Sequence, residues 1–350
     1  MTNGILRDDF LRLFAEYDFS ELREKTFFVT GATGLLGSQI LLFLDFLNQT
    51  QNYGMKLYGL VRNMEKVKRT FGKDVVGKRI SFVEGDVLNL PEIDFNIDFV
   101  IHGASVTASK EFINHAVETI DIAVNGTLNL LRLAHKKEVK SFVYLSSMEA
   151  FGITDGNGEV RENDLGYIDI LSPRSSYMES KRMCENLCAC FASEYELNVK
   201  SVRLAQTLGA GIAYNDTRVA AYFSRCVIEK KDIVLKTEGK TKRPVLYSSD
   251  AISAILIVLL NGRKGDSYTA ANPSTFCTIR ETALLITEKI AENNISLKFD
   301  IAEAPAEYAP NLNLNLNLNV DKLCSLGWKP EIGLEDAYRR MIKAMEADLQ

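Results

Sequence analysis

Short apolar runs alternate with longer stretches of helical spacing along most of the chain. The apolar runs, which are typical of buried strands, cover 26–30, 56–61, 80–83, 99–101, 141–145 and 199–204. The stretches between them predict helices, of which the clearest cover 35–47, 116–136 and 177–195. Strands that alternate with helices predict an α/β fold, in which helices cover both faces of a doubly wound parallel sheet.

The two ends of the chain depart from this alternation. Helical spacing over 5–24 predicts a helix before the first strand, whereas beyond 205 the pattern loosens and prolines interrupt it. Asn and Leu alternate over 311–319, which leaves an edge strand and a loop both open. The predicted divisions are 1–24 for an N-terminal helix, 25–205 with 247–275 returning for the sheet domain, and 206–246 with 276–350 for a smaller C-terminal α/β lobe that binds the substrate.

Composition and charge narrow the classes of partner. With 350 residues, 46% hydrophobic and 25% charged, the chain has an ordinary globular composition. Its 41 basic and 46 acidic residues give a net charge of −5 without a dense basic block, so we expect no nucleic-acid partner. The first residues lack a signal-peptide pattern, and the longest apolar run, 254–260, is too short to span a bilayer. We therefore expect a cytoplasmic protein with no membrane partner.

Cysteines and histidines show no pattern of metal ligands. The six cysteines lack the spacing of a metal site, and Cys184, Cys188 and Cys190 are interpreted as small residues of one helix. The three histidines likewise match no metal or catalytic-triad spacing, and His102 is interpreted as a packing residue at the sheet edge. No metal is predicted.

A glycine-rich turn joins the first predicted strand to the following helix. Residues 30–37 read TGATGLLG, and glycines in this place let the backbone approach a pyrophosphate that the helix N-terminus can bind. Such a triplet also occurs in purely structural turns, but the flanking strand and helix favour a dinucleotide site of Rossmann type. The candidate cofactor-binding residues of this turn are Gly31, Thr33, Gly34, Leu35, Leu36 and Gly37.

Residues after the second and third strands bear on the rest of the dinucleotide. Asp86 and Val87 follow the third strand where an adenine ring would lie, although an ordinary polar loop is the alternative. The second strand ends without the acid that usually accepts the ribose hydroxyl of NAD, and Arg62 stands there instead. Arg62 is a candidate ligand of a 2′-phosphate or else a solvated loop arginine. The cofactor is thus expected to be NAD or NADP, with NADP favoured by Arg62.

Three residues suggest hydride-transfer chemistry. Tyr177 and Lys181 are four apart on a predicted helix and share one face, where an ammonium would lower the pKa of the phenol. Ser147 ends a predicted parallel strand at the edge where ligands bind in such sheets. A Tyr/Lys pair at this spacing is common, so the prediction depends on all three residues together.

In combination these motifs resemble a known family. The TGxxGxxG turn, Asn125 in the segment 124–130, Ser147 and the Tyr177-x-x-x-Lys181 pair are similar to those of the extended short-chain dehydrogenase/reductases, the NAD-dependent epimerase/dehydratase family. The resemblance runs from about residue 24 to 345. Within the family, the segments 173–177, 216–219 and 326–330 resemble UDP-glucuronate decarboxylases most.

The resemblance implies roles for these residues. Tyr177 would be the base, Lys181 would hold the nicotinamide ribose and lower the pKa of the tyrosine, and Ser147 would share the sugar hydroxyl proton. Glu149 falls where decarboxylases and 4,6-dehydratases keep a glutamate near the sugar. The dehydratases place an aspartate acid just before it, but this chain has Met148, so a 4,6-dehydratase is not expected.

Further ligands are implied in the same way. Asn125 and Ala104 are candidate cofactor contacts, and Arg243 and Arg218 are candidate ligands of the nucleotide diphosphate or nearby substrate groups. Gln206 stands where sugar enzymes usually have asparagine, which puts the exact reaction in doubt. The candidate substrate-binding residues are Thr107, Ser147, Gln206, Arg218 and Arg243.

The expected function is a nucleotide-sugar enzyme that oxidises a sugar hydroxyl to a keto intermediate. A decarboxylase or an epimerase would then regenerate the cofactor. One alternative, favoured by Arg62, is an NADPH-dependent reductase that converts a nucleotide-linked, for example CDP-linked, keto-sugar to an alditol for a surface polysaccharide. Another is a non-catalytic dinucleotide-binding protein, which would not need Ser147, Tyr177 and Lys181 together. The resemblance also implies a homodimer.

Overall fold

A computed structural model describes residues 4–107, 111–154, 158–301 and 315–349. Its helices are α1 Gly4–Glu16, α2 Leu35–Gln51, α3 Met64–Phe71, α4 Glu111–Asn114, α5 Ala116–Lys136, α6 Ser176–Glu194, α7 Val219–Ile228, α8 Ser248–Asn261, α9 Ile279–Leu285, α10 Asp321–Cys324 and α11 Leu334–Leu349. Its strands are β1 Thr26–Thr30, β2 Lys56–Val61, β3 Ser81–Glu84, β4 Phe99–His102, β5 Ser141–Ser147, β6 Val199–Leu204, β7 Gln206–Leu208, β8 Ile233–Leu235, β9 Lys242–Arg243, β10 Val245–Tyr247, β11 Ser267–Ala270, β12 Cys277–Thr278 and β13 Leu297–Phe299. Short 3-10 turns cover Ser20–Leu22, Met148–Phe151, Pro173–Ser175 and Pro273–Thr275, and a π-helical turn covers Ile286–Ile290.

In the described part of the chain, seven strands form one sheet in the order β11-β6-β5-β4-β1-β2-β3. Every neighbouring pair in this sheet is parallel. The direction of winding reverses between β1 and β4, which is the place where such sheets bind ligands outside their carboxyl ends. This topology confirms the doubly wound Rossmann fold that the alternation of strands and helices predicts.

Both faces of the sheet are covered by helices, which explains why its central strands are buried throughout. All residues of β1 and β6 are buried. Phe27 packs on one face in a cluster with Ile40 of α2 and Ile255 of α8, and Phe28 packs on the other in a cluster with Leu130 of α5. Consecutive residues of a strand point to opposite faces, so a strand between two helical layers is buried at every position.

The N-terminal helix is shorter than its hydrophobic pattern predicts. The bounds of β1, β2, β6 and α5 are those expected, but α1 ends at Glu16 instead of continuing to 24. The carboxylate of Asp18 accepts the N–H of Ser20 at 2.8 Å, and Glu24 has a φ of 61°. These local bonds and this left-handed residue form a turn where the spacing of apolar residues indicates a helix.

Buried ion pairs fix α1 against the rest of the chain. Asp9 accepts hydrogen bonds from Tyr247 at 2.8 Å and from Arg340 of α11 at 2.7 Å. Arg12 donates to Asp250 of α8 at 2.8 Å. Burial raises the pKa of Asp9 to about 6, although the Tyr247 hydrogen bond and the two arginines oppose that shift. The helix before the first strand is therefore part of the folded body.

The segments outside the main sheet form small sheets with a core of their own. β7 pairs with β10, β9 with β12 and β8 with β13. Phe223 of α7, Ile286 and Met341 of α11 belong to a separate apolar cluster. The segment 247–275 supplies α8 and also β11, which pairs with β6 at the end of the main sheet. The division of the chain into two lobes stays a prediction.

Two further expectations concern particular segments. Part of the segment 311–319 lies outside the described residues, and beyond that part Asn315 and Leu318 make isolated bridges to Lys242 and Val160. Within the described residues, no helix has the length and the apolar character needed to cross a bilayer.

Candidate active site

The glycine-rich turn forms a close-packed cradle at the reversal of the sheet. Gly31 follows β1 with a φ of +68°, and a Cβ atom there would lie 2.6 Å from the backbone of Gly103, which follows β4. A Cβ atom on Gly37 would lie 2.3 Å from the carbonyl oxygen of Gly31. Any side chain at these two positions would thus force the turn, the helix and β4 apart.

The cradle fits the pyrophosphate of a dinucleotide. Gly34 is exposed and is the N-cap of α2, so the first N–H groups of that helix face the surface at the carboxyl edge of the sheet. Thr33, Leu35 and Leu36 are only partly buried and line the same turn. Five of the six candidate residues of the turn are therefore accessible, and the sixth, Gly37, permits the close packing.

The candidate residues for the adenosine end lie side by side. Arg62 follows β2 and Asp86 follows the adjacent strand β3, with 3.8 Å between Nη1 and Oδ2. The Arg62 side chain is 72% exposed, so it can reach a ligand at this edge. Val87 is buried against Gly126 of α5, and Asn129 donates to the carbonyl oxygen of Val87 at 3.1 Å. The loop after β3 is therefore fixed by α5.

Asn125 lies on the exposed side of α5. Its side chain is exposed and donates to Asp121, one turn earlier on α5, at 2.6 Å. The buried face of α5 instead carries Ala123, Gly126 and Thr127. Helical periodicity turns the Asn125 side chain away from the packed face of α5, and its binding of the cofactor stays a prediction.

Ser147, Tyr177 and Lys181 converge at the carboxyl end of β5. The Lys181 ammonium donates to the carbonyl oxygen of Leu145 at 2.8 Å and lies 5.4 Å from the Tyr177 ring centroid. The side chain of Ser147 interacts with the Tyr177 phenol and acts to lower its pKa. The one-turn spacing of the pair on α6 places both side chains against the end of the neighbouring strand.

The expected lowering of the tyrosine pKa is wrong. Burial, and next the charge of Glu149, raise the pKa of Tyr177 above its usual range, and these effects exceed the opposing influence of Ser147 and Arg174. Burial also disfavours the charged form of Lys181, and it lowers the pKa of this residue to about 8. The ammonium that was expected to stabilise a phenolate is itself buried and is bonded to a backbone carbonyl.

Glu149 has two guanidinium groups near it. Arg174 donates to Glu149 at 2.7 Å, and its side chain is only 3% exposed. The charge of Glu149 also acts on Arg243, whose own pKa is lowered by burial. Among the described residues, Nε and Nη1 of Arg174 and Nε of Arg243 are buried without a hydrogen-bond partner.

The candidate substrate residues are only partly brought together. Gln206 and Arg243 line one narrow cavity with Tyr338 and with apolar residues of β7, β10 and α7. Arg218 does not line this cavity. Its guanidinium is paired with Asp216 at 2.7 Å. Thr107 is exposed after β4, and Ala104 donates its N–H to the Thr30 hydroxyl at 3.2 Å.

Sequence reasoning gave no role to Arg174 or Phe112. The Phe112 ring is stacked on Tyr177, with centroids 4.3 Å apart, and Arg174 lies 4.9 Å from the Phe112 centroid. Arg174 had a usable signal, since it stands three residues before Tyr177 at the start of the same helical segment. No sequence signal indicated Phe112, because α4 is distant in sequence from α6 and only the fold brings the two helices together.

The geometry defines a class of site, in which a dinucleotide cradle and a Ser/Tyr/Lys group share one sheet edge. The model of the NAD dependent epimerase/dehydratase family matches residues 27–272. The chain belongs to this family, which confirms the resemblance seen in its motifs.

Individual relatives are more distant. UDP-glucuronic acid decarboxylase 1 of Danio rerio is 25% identical over 336 residues, which are 95% of this chain and 75% of the relative. The fold is similar to that of an epimerase from Methanothermobacter thermautotrophicus, with a TM-score of 0.78 and 18% identity over 100% of this chain and 97% of the other. It is also similar to that of the UDP-glucuronic acid 4-epimerase of Bacillus cereus in complex with NAD, with a TM-score of 0.74 and 18% identity over 93% and 100% of the chains.

Proposed function

We propose that this protein oxidises a hydroxyl of a nucleotide-linked uronate sugar to a ketone and then completes a decarboxylation or an epimerisation. The similarity to UDP-glucuronic acid decarboxylases and to a UDP-glucuronic acid 4-epimerase supports this substrate class. Met148 argues against a 4,6-dehydratase, because a thioether cannot donate a proton where those enzymes are expected to have an acid.

The excess of positive charge around Glu149 is the observation that carries the uronate proposal. Arg174 and Arg243 are two buried cations, and Glu149 is one carboxylate. A buried charge without a counter-ion is strongly unfavourable, and the unpartnered N–H groups could bind a second anion. A sugar carboxylate would supply that anion beside Tyr177, and guanidinium groups bind carboxylates with well-defined geometry.

The chain's own residues account for the proton chemistry. Tyr177, in its deprotonated phenolate form, accepts the sugar hydroxyl proton, and Ser147, whose side chain interacts with the phenol, orients the sugar hydroxyl. Lys181 places a positive charge near the phenol and is held by the carbonyl of Leu145. When bound at the cradle, the nicotinamide dinucleotide supplies reversible hydride transfer. Because the pKa of Tyr177 is raised, oxidation should become faster as the pH increases above neutral.

The identity of the dinucleotide is a separate proposal. Arg62 is exposed at the end of β2, and no acid stands at that end to exclude a 2′-phosphate. Asp86, 3.8 Å from Arg62, could instead pair with it and leave the ribose hydroxyl of NAD to be bound. Because Arg62 is exposed at the end of β2 and no acid stands there, we propose that the cofactor is NADP rather than NAD.

A second candidate function rests on the same residue. A net reductase uses NADPH, so an Arg62 that binds a 2′-phosphate would favour reduction of a nucleotide-linked keto-sugar, such as a CDP-linked one, to an alditol for a surface polysaccharide. A non-catalytic dinucleotide-binding protein is the weaker proposal, since it would not require Ser147, Tyr177 and Lys181 at one strand end. A cytoplasmic homodimer is proposed from the family resemblance.

The deciding experiment combines native mass spectrometry with product analysis. The purified protein is tested for bound NAD or NADP and then incubated with UDP-glucuronate, UDP-glucose and dTDP-, GDP- and CDP-sugars, with Tyr177→Phe as the control. Conversion of UDP-glucuronate without net change in reduced cofactor supports the proposal. Stoichiometric consumption of NADPH with a keto-sugar would establish the reductase instead.

An arginine variant tests the carboxylate assignment directly. Arg174→Gln should lower kcat/KM for UDP-glucuronate about 10-fold to 100-fold, the effect of losing a charge-assisted hydrogen bond, and should change binding of UDP much less. Arg182→Gln is the matched control, because Arg182 lies on α6 and its guanidinium donates to the backbone carbonyls of Ala150, Phe151 and Gly166 and pairs with Glu179. Equal loss of affinity for UDP would assign the arginine to the diphosphate and contradict the uronate proposal.

A further inference from the structure

His102 is a buried titratable residue that the proposed chemistry does not use. It ends β4, is 1% exposed and lies between β1 and α5. β4 is a central strand, so the residue is at the carboxyl edge of the sheet rather than at a lateral edge. Both ring nitrogens have partners: Thr30 at 2.7 Å from Nδ1 and Thr127 at 3.0 Å from Nε2.

The direction of every hydrogen bond on the α5 side follows from one acceptor. The thiol of Cys184 lies 3.2 Å from the carbonyl oxygen of Ala123, which can only accept. The thiol therefore donates its single hydrogen there and can only accept from the Thr127 hydroxyl, at 3.3 Å. With its hydrogen used in this way, Thr127 accepts at its oxygen. His102 must then carry its proton on Nε2.

The opposite ring nitrogen connects to the dinucleotide cradle. With the proton on Nε2, the Nδ1 atom of His102 accepts the hydrogen of the Thr30 hydroxyl. The oxygen of that hydroxyl accepts the N–H of Ala104 at 3.2 Å. Ala104 follows Gly103, against whose backbone Gly31 is packed without room for a Cβ atom. The chain of hydrogen bonds thus runs from the cradle to Cys184, three residues after Lys181 on α6.

We propose that His102 is a positioning residue, which holds the dinucleotide cradle in register with the helix that carries Tyr177 and Lys181 through this directed chain of hydrogen bonds. The inference rests on the proposed roles of the cradle and of the Tyr/Lys pair. The links from Thr30 through His102 and Thr127 to Cys184 are buried, and the link from Ala104 to Thr30 is partly buried. A buried polar chain with all its members paired has a single low-energy arrangement. The imidazole is the central link, since it is the member that joins β1 to α5.

The surroundings of the ring keep it neutral. Lys181 is the charged group that acts on the ring. The Tyr144 ring lies 5.6 Å from the imidazole centroid in a tilted arrangement, and Cys184 is the next titratable group along the chain, beyond Thr127. Burial, and then the charge of Lys181, lower the pKa of His102 to about 3. A neutral ring can accept at Nδ1, whereas a protonated ring would place a second donor against the Thr30 hydroxyl.

Tautomer and titration can be read directly from the three histidines of this chain. Protein labelled with 15N-histidine is examined by long-range proton–nitrogen correlation between pH 5 and 8. We expect one imidazole, which disappears in His102→Gln, to carry its proton on Nε2 and not to titrate. His115 and His135 are exposed and provide the comparison signals. A proton on Nδ1, or titration of His102 in this range, would overturn the chain.

A pair of threonine variants tests the positioning role. Thr127→Val removes the acceptor of His102, and Thr119→Val is its control, because Thr119 is equally buried on α5 and its hydroxyl bonds to the backbone oxygen of His115. Thr127→Val should shift the tautomer, weaken NAD(P) binding about fivefold and lower kcat about fivefold, the scale of one lost hydrogen bond. Thr119→Val should do none of these. Thermal unfolding compares the two variants for stability.

The outcomes separate this inference from the proposed function. Equal effects of the two valine variants on cofactor affinity, with the His102 tautomer unchanged, would refute the positioning role. The tautomer and the NAD(P) dissociation constant are measured without turnover. If none of the tested nucleotide sugars is converted, the proposed function fails while these two readouts still decide the role of His102.

Discussion

Two buried lysines at opposite ends of the β5–β6 strand pair have the same altered acidity but different surroundings. Burial lowers the pKa of both Lys181 and Lys200 to about 8. Both ammonium groups donate to a backbone carbonyl, Lys181 to Leu145 at 2.8 Å and Lys200 to Leu259 at 3.3 Å. Lys181 lies at the carboxyl edge, whereas Lys200 lies near the amino end of β6.

The difference between the two regions is in what surrounds each cation. The Lys181 ammonium lies 4.8 Å from the Tyr144 ring centroid and 5.4 Å from that of Tyr177. The charge of Glu149 acts to raise the lysine pKa. Besides the carbonyl oxygen of Leu259, the Lys200 ammonium donates to the hydroxyl of Ser141, at 2.7 Å. In both places the lowered lysine pKa reflects burial. The carboxyl edge differs because a phenol, a hydroxyl and a carboxylate converge there in combination. Convergence of groups is thus the better indicator of a reaction centre.

The largest expected effect is at the carboxyl edge. Tyr177→Phe should lower kcat by about 100-fold or more, because a positioned proton acceptor contributes at least that factor. Turnover of the nucleotide sugar is measured alongside Tyr144→Phe, a buried phenol under the same ammonium, which should stay within a few-fold of the parent. Near-normal turnover of Tyr177→Phe would remove the chemical distinction between the two regions.

Exchanging each lysine tests the comparison itself. Lys181→Met should lower kcat/KM about 10-fold to 100-fold, since a charge that favours proton transfer and cofactor binding is lost. Lys200→Met should leave kcat/KM unchanged, because the hydrogen-bond partners of Lys200 among the described residues, Ser141 and Leu259, are not candidate site residues. Steady-state kinetics of both variants, after circular dichroism shows that both are folded, measures this. Similar losses in the two variants would mean that burial alone, and not location, matters.

The pH dependence of stability provides a matching test at the amino end. Lys200 has a pKa of about 8 when folded, below its ordinary value of 10.5, so between those values the unfolded chain binds more protons than the folded one. The free energy of unfolding should therefore rise with pH across this window for the parent, relative to Lys200→Met. Urea unfolding of both at several pH values measures the difference. Parallel curves would show that the folded lysine keeps an ordinary pKa.

The smallest expected effect concerns the far end of the carboxyl edge, where Arg62 is exposed. Arg62→Ala should weaken NADP about 3-fold to 10-fold and leave NAD nearly unchanged, because exposed ion pairs contribute little. Dissociation constants for both dinucleotides are obtained from fluorescence titration. Lys66→Ala, an exposed cation on the adjacent helix α3, is the control. Equal changes for NAD and NADP would remove Arg62 as a 2′-phosphate ligand.

Patterns that are local in sequence were the most successful basis for prediction. The strand Thr26–Thr30 and the helix Ala116–Lys136 lie within their predicted bounds. A buried strand and an amphipathic helix each have a characteristic pattern of apolar residues along the sequence. The helix predicted to 24 ends at Glu16, since the Asp18 turn interrupts it. The role of Asn125 stays a prediction, because a motif gives a residue's place in the chain and not the direction of its side chain on the helix.

The sequence by itself determined the alternating fold, the glycine turn and the one-turn spacing of Tyr177 and Lys181, because these depend on neighbours within a few residues. Only the tertiary structure decided that Arg174 pairs with Glu149, that Phe112 stacks on Tyr177 and that His102 joins the cradle to α6. It also decided the sign of the Tyr177 pKa shift. Burial and through-space contact between distant segments set these properties, and neither is written in local spacing.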